Sequence, residues 1–281
     1  NPMDQEGKTL NESMAVLAEL PLMHEPGAEW LYGMASEVQG AVIEALSGEP
    51  LADYLEQALF RPLGMSDTGF FVPPAKHARL VAQYEMLRLP FYRKIFRNDA
   101  EGERFKAPPR LVSGGGGLVG SAEDYMRLLQ WLMHPEAKPG VLAPELVRAM
   151  TQNQLPSAIA AIPEEIYSNS GFGFGLGVKL ADEPDLSRGS FYWAGAGGTL
   201  FWADPSQDLA VVAMMQLEGA RKGLEKRLVP WVNEWLRELL ERATNPAPGS
   251  PVQVINGGTA GWSTDQEVLF YKLRGRQFSP D

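Results

Sequence analysis

The side chains best suited to nucleophilic or metal chemistry are scarce in this sequence or lack the spacing that such chemistry needs. There is no cysteine, which excludes disulfides, thiolate metal sites and a cysteine nucleophile. His24, His77 and His134 do not follow HExxH or another ligand spacing, so we predict no metal site. No serine is followed three residues later by lysine, the spacing that places a serine nucleophile and its lysine on one helix face.

Two glycine-rich runs also invite a chemical interpretation. Residues 171–177 read GFGFGLG, which is similar to a phosphate-binding loop. Such a loop leads from a strand into a helix N-terminus, whereas the following Val178-Lys179-Leu180 is typical of a strand, so nucleotide binding is disfavoured and no cofactor is predicted. The run SGGGGL at residues 113–118 is predicted to be structural, because glycine permits backbone angles that other residues avoid.

The composition limits the classes of partner. The 281 residues carry a formal charge of -10, which repels phosphate backbones and anionic membrane surfaces at long range, so nucleic-acid binding is disfavoured. No apolar run approaches the ~20 residues that cross a bilayer, and we predict no membrane insertion. The lack of cysteine is compatible with a cytoplasmic or a periplasmic protein.

The elements that must position any site form a helical first half, a strand-rich segment and a closing helix. Apolar periodicity predicts amphipathic helices over residues 9–20 and 35–47, the second with Val38, Val42, Ile43 and Leu46 as its apolar face. A third helix over residues 51–60 should be stopped by Arg61-Pro62-Leu63-Gly64. Ser121 with Asp124 resembles a capping box, so another helix should begin there.

The strand-rich segment lies in the second half of the chain. Residues 190–203 and 208–216 are two β-type runs separated by the turn Asp204-Pro205-Ser206-Gln207, so they should pair antiparallel. Residues 221–242 return to helical periodicity. This helix should cover one face of the sheet.

Several separated motifs, taken in order, resemble the serine β-lactamase and penicillin-binding-protein-like hydrolases, from about residue 10 to about residue 240. They are His24-Glu25-Pro26-Gly27 followed by Trp30-Leu31-Tyr32, Pro62-Leu63-Gly64-Met65 followed by Asp67-Thr68-Gly69-Phe70, SGGGGL, GFGFGLG, and Trp193-Ala194-Gly195-Ala196-Gly197-Gly198-Thr199. The resemblance implies an α/β (α+β) chain with a β-lactamase/transpeptidase-like fold: a helical subdomain and an antiparallel sheet covered by a C-terminal helix, incomplete at both ends. It covers the C-terminal two-thirds of that fold.

The resemblance assigns a proton-transfer role to Tyr32. In this family a tyrosine after the His-x-Pro-Gly segment moves the proton between the serine nucleophile and the leaving group. A free phenol titrates near ~10, so the role needs a nearby cation, which the family supplies as the lysine one turn after its serine. The family tyrosine is often followed by Ser or Ala and then Asn, whereas this chain has Gly33 and Met34. That departure removes a polar group and disfavours β-lactam amide recognition.

The resemblance also assigns substrate contacts to the run after residue 190. In β-lactamases this strand carries Lys-Thr-Gly, whereas the esterase relatives often show Trp-Gly-Gly, and Trp193-Ala194-Gly195 is similar to the esterase form. These three residues are the predicted substrate-binding residues. The N–H of Ala196 would be one oxyanion-hole donor, and such a donor contributes roughly 3 kcal/mol to transition-state stabilisation.

The implied activity is that of a carboxylesterase that cleaves short acyl esters through an acyl-enzyme, with a small-molecule ester or β-lactam-like substrate. Two alternatives stay open: a non-catalytic scaffold or binding protein of the same fold, and a β-lactamase or DD-peptidase. In the family the Ser-x-x-Lys motif lies upstream of the His-x-Pro-Gly segment, so we expect the chain to be a fragment that lacks its nucleophile and is inactive alone.

The last forty residues resemble a different family. We predict a partial hydrolase domain over residues 1–243, a proline-rich linker over 244–251 and a further segment over 252–281. In that segment Val252-Gln253-Val254-Ile255 is typical of a buried strand. The run that follows, residues 256–264, is similar to the second sequence block of SGNH (GDSL-type) hydrolases, which would make Gly261 an oxyanion-hole donor. The alternative is a generic strand-turn-helix that closes the first domain.

Overall fold

The computed structural model describes residues 7–88, 93–159, 161–163, 169–218, 229–231, 234, 255–256 and 267–272. Within them the helices are α1 (Leu10–Leu17), α2 (Ala35–Ser47), α3 (Leu51–Leu55), α4 (Arg61–Leu63), α5 (Asp99–Glu103), α6 (Ala122–Met133) and α7 (Pro144–Met150). The strands are β1 (Tyr84–Arg88), β2 (Arg93–Arg97), β3 (Ser170–Phe172), β4 (Gly177–Lys179), β5 (Phe191–Ala194), β6 (Leu200–Asp204), β7 (Leu209–Met214), β8 (Leu217–Glu218), β9 (Ile255–Asn256) and β10 (Glu267–Lys272).

Helix α2 has the predicted bounds but not the predicted buried face. It ends at Gly48, whose φ of 73° is the left-handed conformation that glycine adopts without a Cβ penalty. Its buried residues are Glu37 and Gly40, whereas Val38, Val42 and Leu46 are 42%, 49% and 85% exposed. Small residues let this side of the helix approach neighbouring backbone closely, and that contact decides which face is buried.

The helix predicted to stop at Arg61 continues for three more residues. Residues Glu56–Phe60 form a π-helical turn between α3 and α4, and the N–H of Arg61 donates to the carbonyl of Glu56. This wider turn allows Pro62, which has no N–H to donate, to lie within the helix. The helix ends instead at Gly64, which has a φ of 74°. Leu63 and Met65 are buried, so the segment is a packing corner.

The main sheet has seven antiparallel strands in the order β3-β4-β5-β6-β7-β10-β9. The predicted pairing across the turn after Asp204 is confirmed as the β6–β7 hairpin. The prediction of one strand over residues 190–203 is wrong, because residues 195–199 form a turn between β5 and β6. Gly198 has a φ of 88° there, an angle that a strand residue does not adopt.

Both faces of this sheet are covered. Helix α6, capped by the Ser121 hydroxyl as predicted, packs Met126, Leu129 and Leu132 against one face together with Phe201 and Val212. The opposite face carries Tyr192, Leu200, Trp202 and Val211, and Val229 packs against it. Of the predicted closing helix, residues 229–231 and 234 are described and are helical. The mixed architecture of helices and antiparallel sheet is confirmed.

A smaller sheet lies beside the main one, in the order β2-β1-β8. The predicted linker over residues 244–251 and Gly261 lie outside the described residues. Strands β9 and β10 lie in the segment compared with SGNH hydrolases, and β10 pairs with β7 over its whole length. Among the described residues, no helix combines the length and hydropathy needed to span a membrane.

Candidate functional site

Tyr32 lies on an irregular segment just before α2, and aromatic contacts hold its ring. The ring stacks on Trp193 of β5 with centroids 6.1 Å apart and an interplanar angle of 22°. It also lies 6.4 Å from the ring of Trp30. Its side chain is 64% exposed, and within the described part of the chain its hydroxyl makes no hydrogen bond. The phenol is therefore supported on one side and accessible to a reactant.

A buried carboxylate fixes the start of α2, and so the segment that carries Tyr32. Glu37 accepts hydrogen bonds from the hydroxyl of Ser113 at 2.5 Å and from the N–H of Gly114 at 2.8 Å. A Cβ on Gly114 would lie 2.4 Å from the carbonyl oxygen of Ser36, so only glycine allows this approach. The SGGGGL run therefore has the structural role predicted for it.

The glycines after Trp193 form the tight turn between β5 and β6. The N–H of Gly195 donates to the carbonyl of Thr199 at 2.8 Å, and the N–H of Gly198 donates to the carbonyl of Gly195 at 3.2 Å. A Cβ on Gly195 would lie 2.3 Å from Oγ1 of Thr199. Among the described residues, the N–H of Ala196 has no backbone acceptor, and Ala196 is exposed. Adjacent free N–H groups in a turn suit an oxyanion.

Strand β8 supports this turn from behind. The N–H of Leu217 donates to the carbonyl of Gly197 at 2.8 Å, and the carbonyl of Gln216 accepts from the N–H of Tyr84 at 2.9 Å. The turn is thus tied to the main sheet at both ends and to the small sheet in the middle. Such restraint keeps the donors of an oxyanion hole in place before reaction.

The structure brings together some of the predicted site residues. Tyr32 and Trp193 are in contact, and Ala196 follows Trp193 by three residues in the same hairpin. Ala194 is 8% exposed and lies in the core on one sheet face with Tyr192. Only its backbone can therefore contact a substrate.

Sequence reasoning missed Phe172, and it gave Trp30 no role beyond its place in a motif. The ring of Phe172 lies 5.2 Å from that of Trp30 and 5.4 Å from that of Trp193, in both cases edge to face. With Tyr32, these side chains form a four-ring cluster. The only sequence signal was that all four rings stood in motifs already selected.

Comparison with known proteins identifies the family. Residues 1–229 match the sequence profile of the Beta-lactamase family. Protein Rv1367c of Mycobacterium tuberculosis is 34% identical over 218 residues, which cover 72% of this chain and 52% of that protein. Esterase EstB of Burkholderia gladioli is 30% identical over 222 residues, 73% of this chain and 54% of the esterase. The chain spans about half the length of the curated relatives it matches.

Two solved structures are also similar to this chain. EstCE1, described as a hydrolase with promiscuous acyltransferase activity, has a TM-score of 0.66 and 28% identity over 81% of this chain and 61% of its own. The penicillin-binding protein from Bacillus halodurans, with a TM-score of 0.57 and 19% identity over 84% of this chain and 64% of its own, supports the fold alone. The SGNH resemblance of residues 252–281 stays a prediction. The chain belongs to the Beta-lactamase family.

Proposed function

We propose that this chain contributes the proton-transfer tyrosine and the oxyanion-binding turn of a serine carboxylesterase that acts on short acyl esters. The observation that carries the proposal is the stacking of Tyr32 on Trp193, at the strand that leads into the Ala196 turn. Two residues far apart in sequence thus meet where a proton carrier and an N–H donor are needed together. No metal or cofactor enters this reaction.

The proposed chemistry is acyl transfer in two steps. A serine Oγ attacks the ester carbonyl, and Tyr32 accepts the serine proton. The developing oxyanion accepts a hydrogen bond from the N–H of Ala196. The carbon–oxygen bond to the alcohol then breaks while Tyr32 protonates the leaving alcohol, and water releases the acid from the acyl-enzyme by the same proton route. The serine and its lysine are proposed to come from sequence outside the 281 residues, because these residues contain no Ser-x-x-Lys motif.

The preference for uncharged esters is proposed from Trp193. A ring occupies the position where the family's β-lactamases carry a lysine, so no cation from this residue attracts a substrate carboxylate. Two relatives support acyl-ester chemistry by description: Esterase EstB of Burkholderia gladioli, and Monacolin J acid methylbutanoyltransferase of Aspergillus terreus, which is 27% identical over 225 residues, 70% of this chain and 51% of the transferase.

The second candidate is a non-catalytic binding protein of the same fold. The absence of Ser-x-x-Lys from the 281 residues favours it. The sequence that precedes Asn1 in the gene separates the two candidates, since Ser-x-x-Lys there supports the enzyme and its absence from the complete gene supports the binding protein.

The experiment compares residues 1–281 with a protein extended by the upstream coding sequence. We expect the extended protein to hydrolyse p-nitrophenyl butyrate and to gain one fluorophosphonate adduct on the serine of Ser-x-x-Lys. Residues 1–281 alone should do neither, because Tyr32 and Ala196 only assist a nucleophile. Stoichiometric labelling of a serine within residues 1–281, or no hydrolysis by the extended protein, would contradict the proposal.

A further inference from the structure

We infer that Phe172 is a positioning residue for Tyr32, acting through the two tryptophans on either side of it. This inference rests on the proposed function, because it concerns the tyrosine that moves the proton. Phe172 belongs to the GFGFGLG run, to which the sequence analysis gave no chemical role. Its ring contacts Trp30 and Trp193, the same two rings that contact Tyr32.

The segment around Tyr32 depends on these ring contacts because its backbone offers few others. Within the described part of the chain, no backbone–backbone hydrogen bond involves residues 29–33. The nearest such bonds are Ala28 N–H to Glu25 carbonyl on one side and Glu37 N–H to Met34 carbonyl on the other. Trp30 and Tyr32 therefore set the position of the segment through their side chains. Edge-to-face pairs at these separations are attractive and directional.

Phe172 is suited to hold them because its own backbone is fixed on three sides. It pairs with Gly177 in the β3–β4 ladder. Its N–H donates to Oδ1 of Asn153 at 3.0 Å, and its carbonyl accepts from the N–H of Gln154 at 2.8 Å. The edge of strand β3 is thus tied to the segment that follows α7, and the ring has a defined starting point.

The glycines on either side of Phe172 make this approach possible. A Cβ on Gly171 would lie 2.2 Å from Oδ1 of Asn153, and a Cβ on Gly173 would lie 2.0 Å from the carbonyl oxygen of Met150. Real side chains do not fit at those distances. The alternation of glycine and phenylalanine therefore has a physical reason: the glycines admit the neighbouring backbone, and Phe172 projects to the aromatic cluster.

The consequence for catalysis is a requirement on the orientation of Tyr32. An exposed phenol on a segment without backbone hydrogen bonds has many orientations, and only some allow proton transfer to a nucleophile. A misplacement of about 1 Å costs on the order of 100-fold in rate. Loosening the cluster should therefore lower kcat and leave KM nearly unchanged, since Phe172 itself does not contact the substrate.

The test uses the extended protein with the Phe172→Leu and Phe172→Tyr variants. We expect Phe172→Leu to lower kcat for p-nitrophenyl butyrate by about 10-fold or more, with KM within about twofold and with altered near-UV circular dichroism from the ring cluster. Phe172→Tyr keeps the ring and should restore kcat. The control is Phe174→Leu, which removes an exposed ring from the same hairpin and should behave as wild type.

A second variant protects the test against loss of folding. Trp30→Leu removes the other end of the contact from a segment outside the sheet, and we expect the same fall in kcat, with little further loss in the double variant. An active wild type with unchanged kcat in Phe172→Leu or Trp30→Leu would overturn the inference. A rise in KM at constant kcat would also overturn it, because Phe172 would then act on substrate binding. An inactive, unlabelled wild type would instead refute the proposed function.

Discussion

Asp204 offers a quantitative test of how the hairpin that follows the site is held. It is the last residue of β6 and is 1% exposed. One carboxylate oxygen accepts from the N–H and hydroxyl of Ser187 at 3.2 and 2.6 Å and from Nε2 of Gln207 at 2.7 Å. The other accepts from the N–H and hydroxyl of Ser206 at 3.0 and 2.6 Å and from the N–H of Gln207 at 3.3 Å.

These bonds set the size of the expected effect. Burial opposes the ionisation of Asp204, but the hydrogen bonds from Ser187, Ser206 and Gln207 outweigh it and lower its pKa from 3.8 to about 2. That shift corresponds to roughly 2 kcal/mol of folding free energy. In Asp204→Asn an NH2 group replaces one carboxylate oxygen and cannot accept the hydrogen bonds made to that oxygen. A backbone N–H that loses its acceptor in this way costs about 1–3 kcal/mol of folding free energy. Together the two contributions predict a loss of about 3–5 kcal/mol.

The assay is equilibrium urea unfolding of wild type and Asp204→Asn between about pH 7 and pH 2. A lowered folded-state pKa contributes stability that is present above the unfolded pKa and is lost as pH falls through the folded one. The difference between the two proteins should therefore be full at about pH 6 and shrink between about pH 4 and pH 2.

The control is Asp208→Asn in the same turn. Asp208 has a φ of 51°, which asparagine also adopts readily, and its carboxylate bonds only to the ring of His134 among the described residues. We expect a change of about 1 kcal/mol or less. A difference below about 0.5 kcal/mol for Asp204→Asn at about pH 6, or one that stays constant down to about pH 2, would refute the reasoning.

Two further predictions concern Trp193 and Gly173. Trp193→Lys adds a cation beside the Ala196 turn and should shift the ratio of kcat/KM values from p-nitrophenyl butyrate toward benzylpenicillin. Trp193→Gln also removes the ring but adds no cation, so it should not cause this shift. Efficient cleavage of benzylpenicillin by the native protein, with little ester activity, would contradict the substrate assignment. Gly173→Ala should cost about 2–4 kcal/mol in urea unfolding, because its Cβ would meet the Met150 carbonyl at 2.0 Å. As a control, Gly116→Ala, with nothing within 4 Å of its Cβ, should change the free energy of unfolding by less than about 1 kcal/mol. Equal losses in Gly173→Ala and Gly116→Ala would contradict the argument from close approach.

Local signals in the sequence were sufficient to predict several elements. The bounds of α2 and the start of α6 depend on apolar spacing and on end residues such as Gly48 and Ser121, which act within one helical turn. The turn after Asp204 was recognised for the same reason. These features need no knowledge of the rest of the fold.

Features set by distant neighbours could not be predicted in this way. The apolar residues Val38, Val42 and Leu46 indicated a buried face, but these side chains are exposed. Glu37 is buried instead, because it accepts hydrogen bonds from the Ser113 hydroxyl and the Gly114 N–H, which lie far along the chain. The apolar residues on both sides favoured one continuous strand over residues 190–203. The turn at residues 195–199 was therefore not predicted, although the sequence shows its glycines.

The candidate site was predicted in the same uneven manner. The resemblance selected Tyr32 and Trp193, and the structure brings their rings into contact. It did not select Phe172, because the contacts of Phe172 with Trp30 and Trp193 arise only when β3, β5 and the segment before α2 fold together. A pattern of glycines and aromatic residues does not specify such a three-way contact.

The most direct test of the account is the turnover of Tyr32→Phe in the extended protein, beside Tyr54→Phe as a control on the exposed side of α3. Removing one hydroxyl leaves the stacked ring in place, so the fold and KM should be retained. Because the phenol is proposed to carry the proton in both steps, kcat for p-nitrophenyl butyrate should fall about 100-fold or more, whereas Tyr54→Phe should match wild type. Unchanged turnover in Tyr32→Phe would contradict the account and remove Tyr32 from the mechanism.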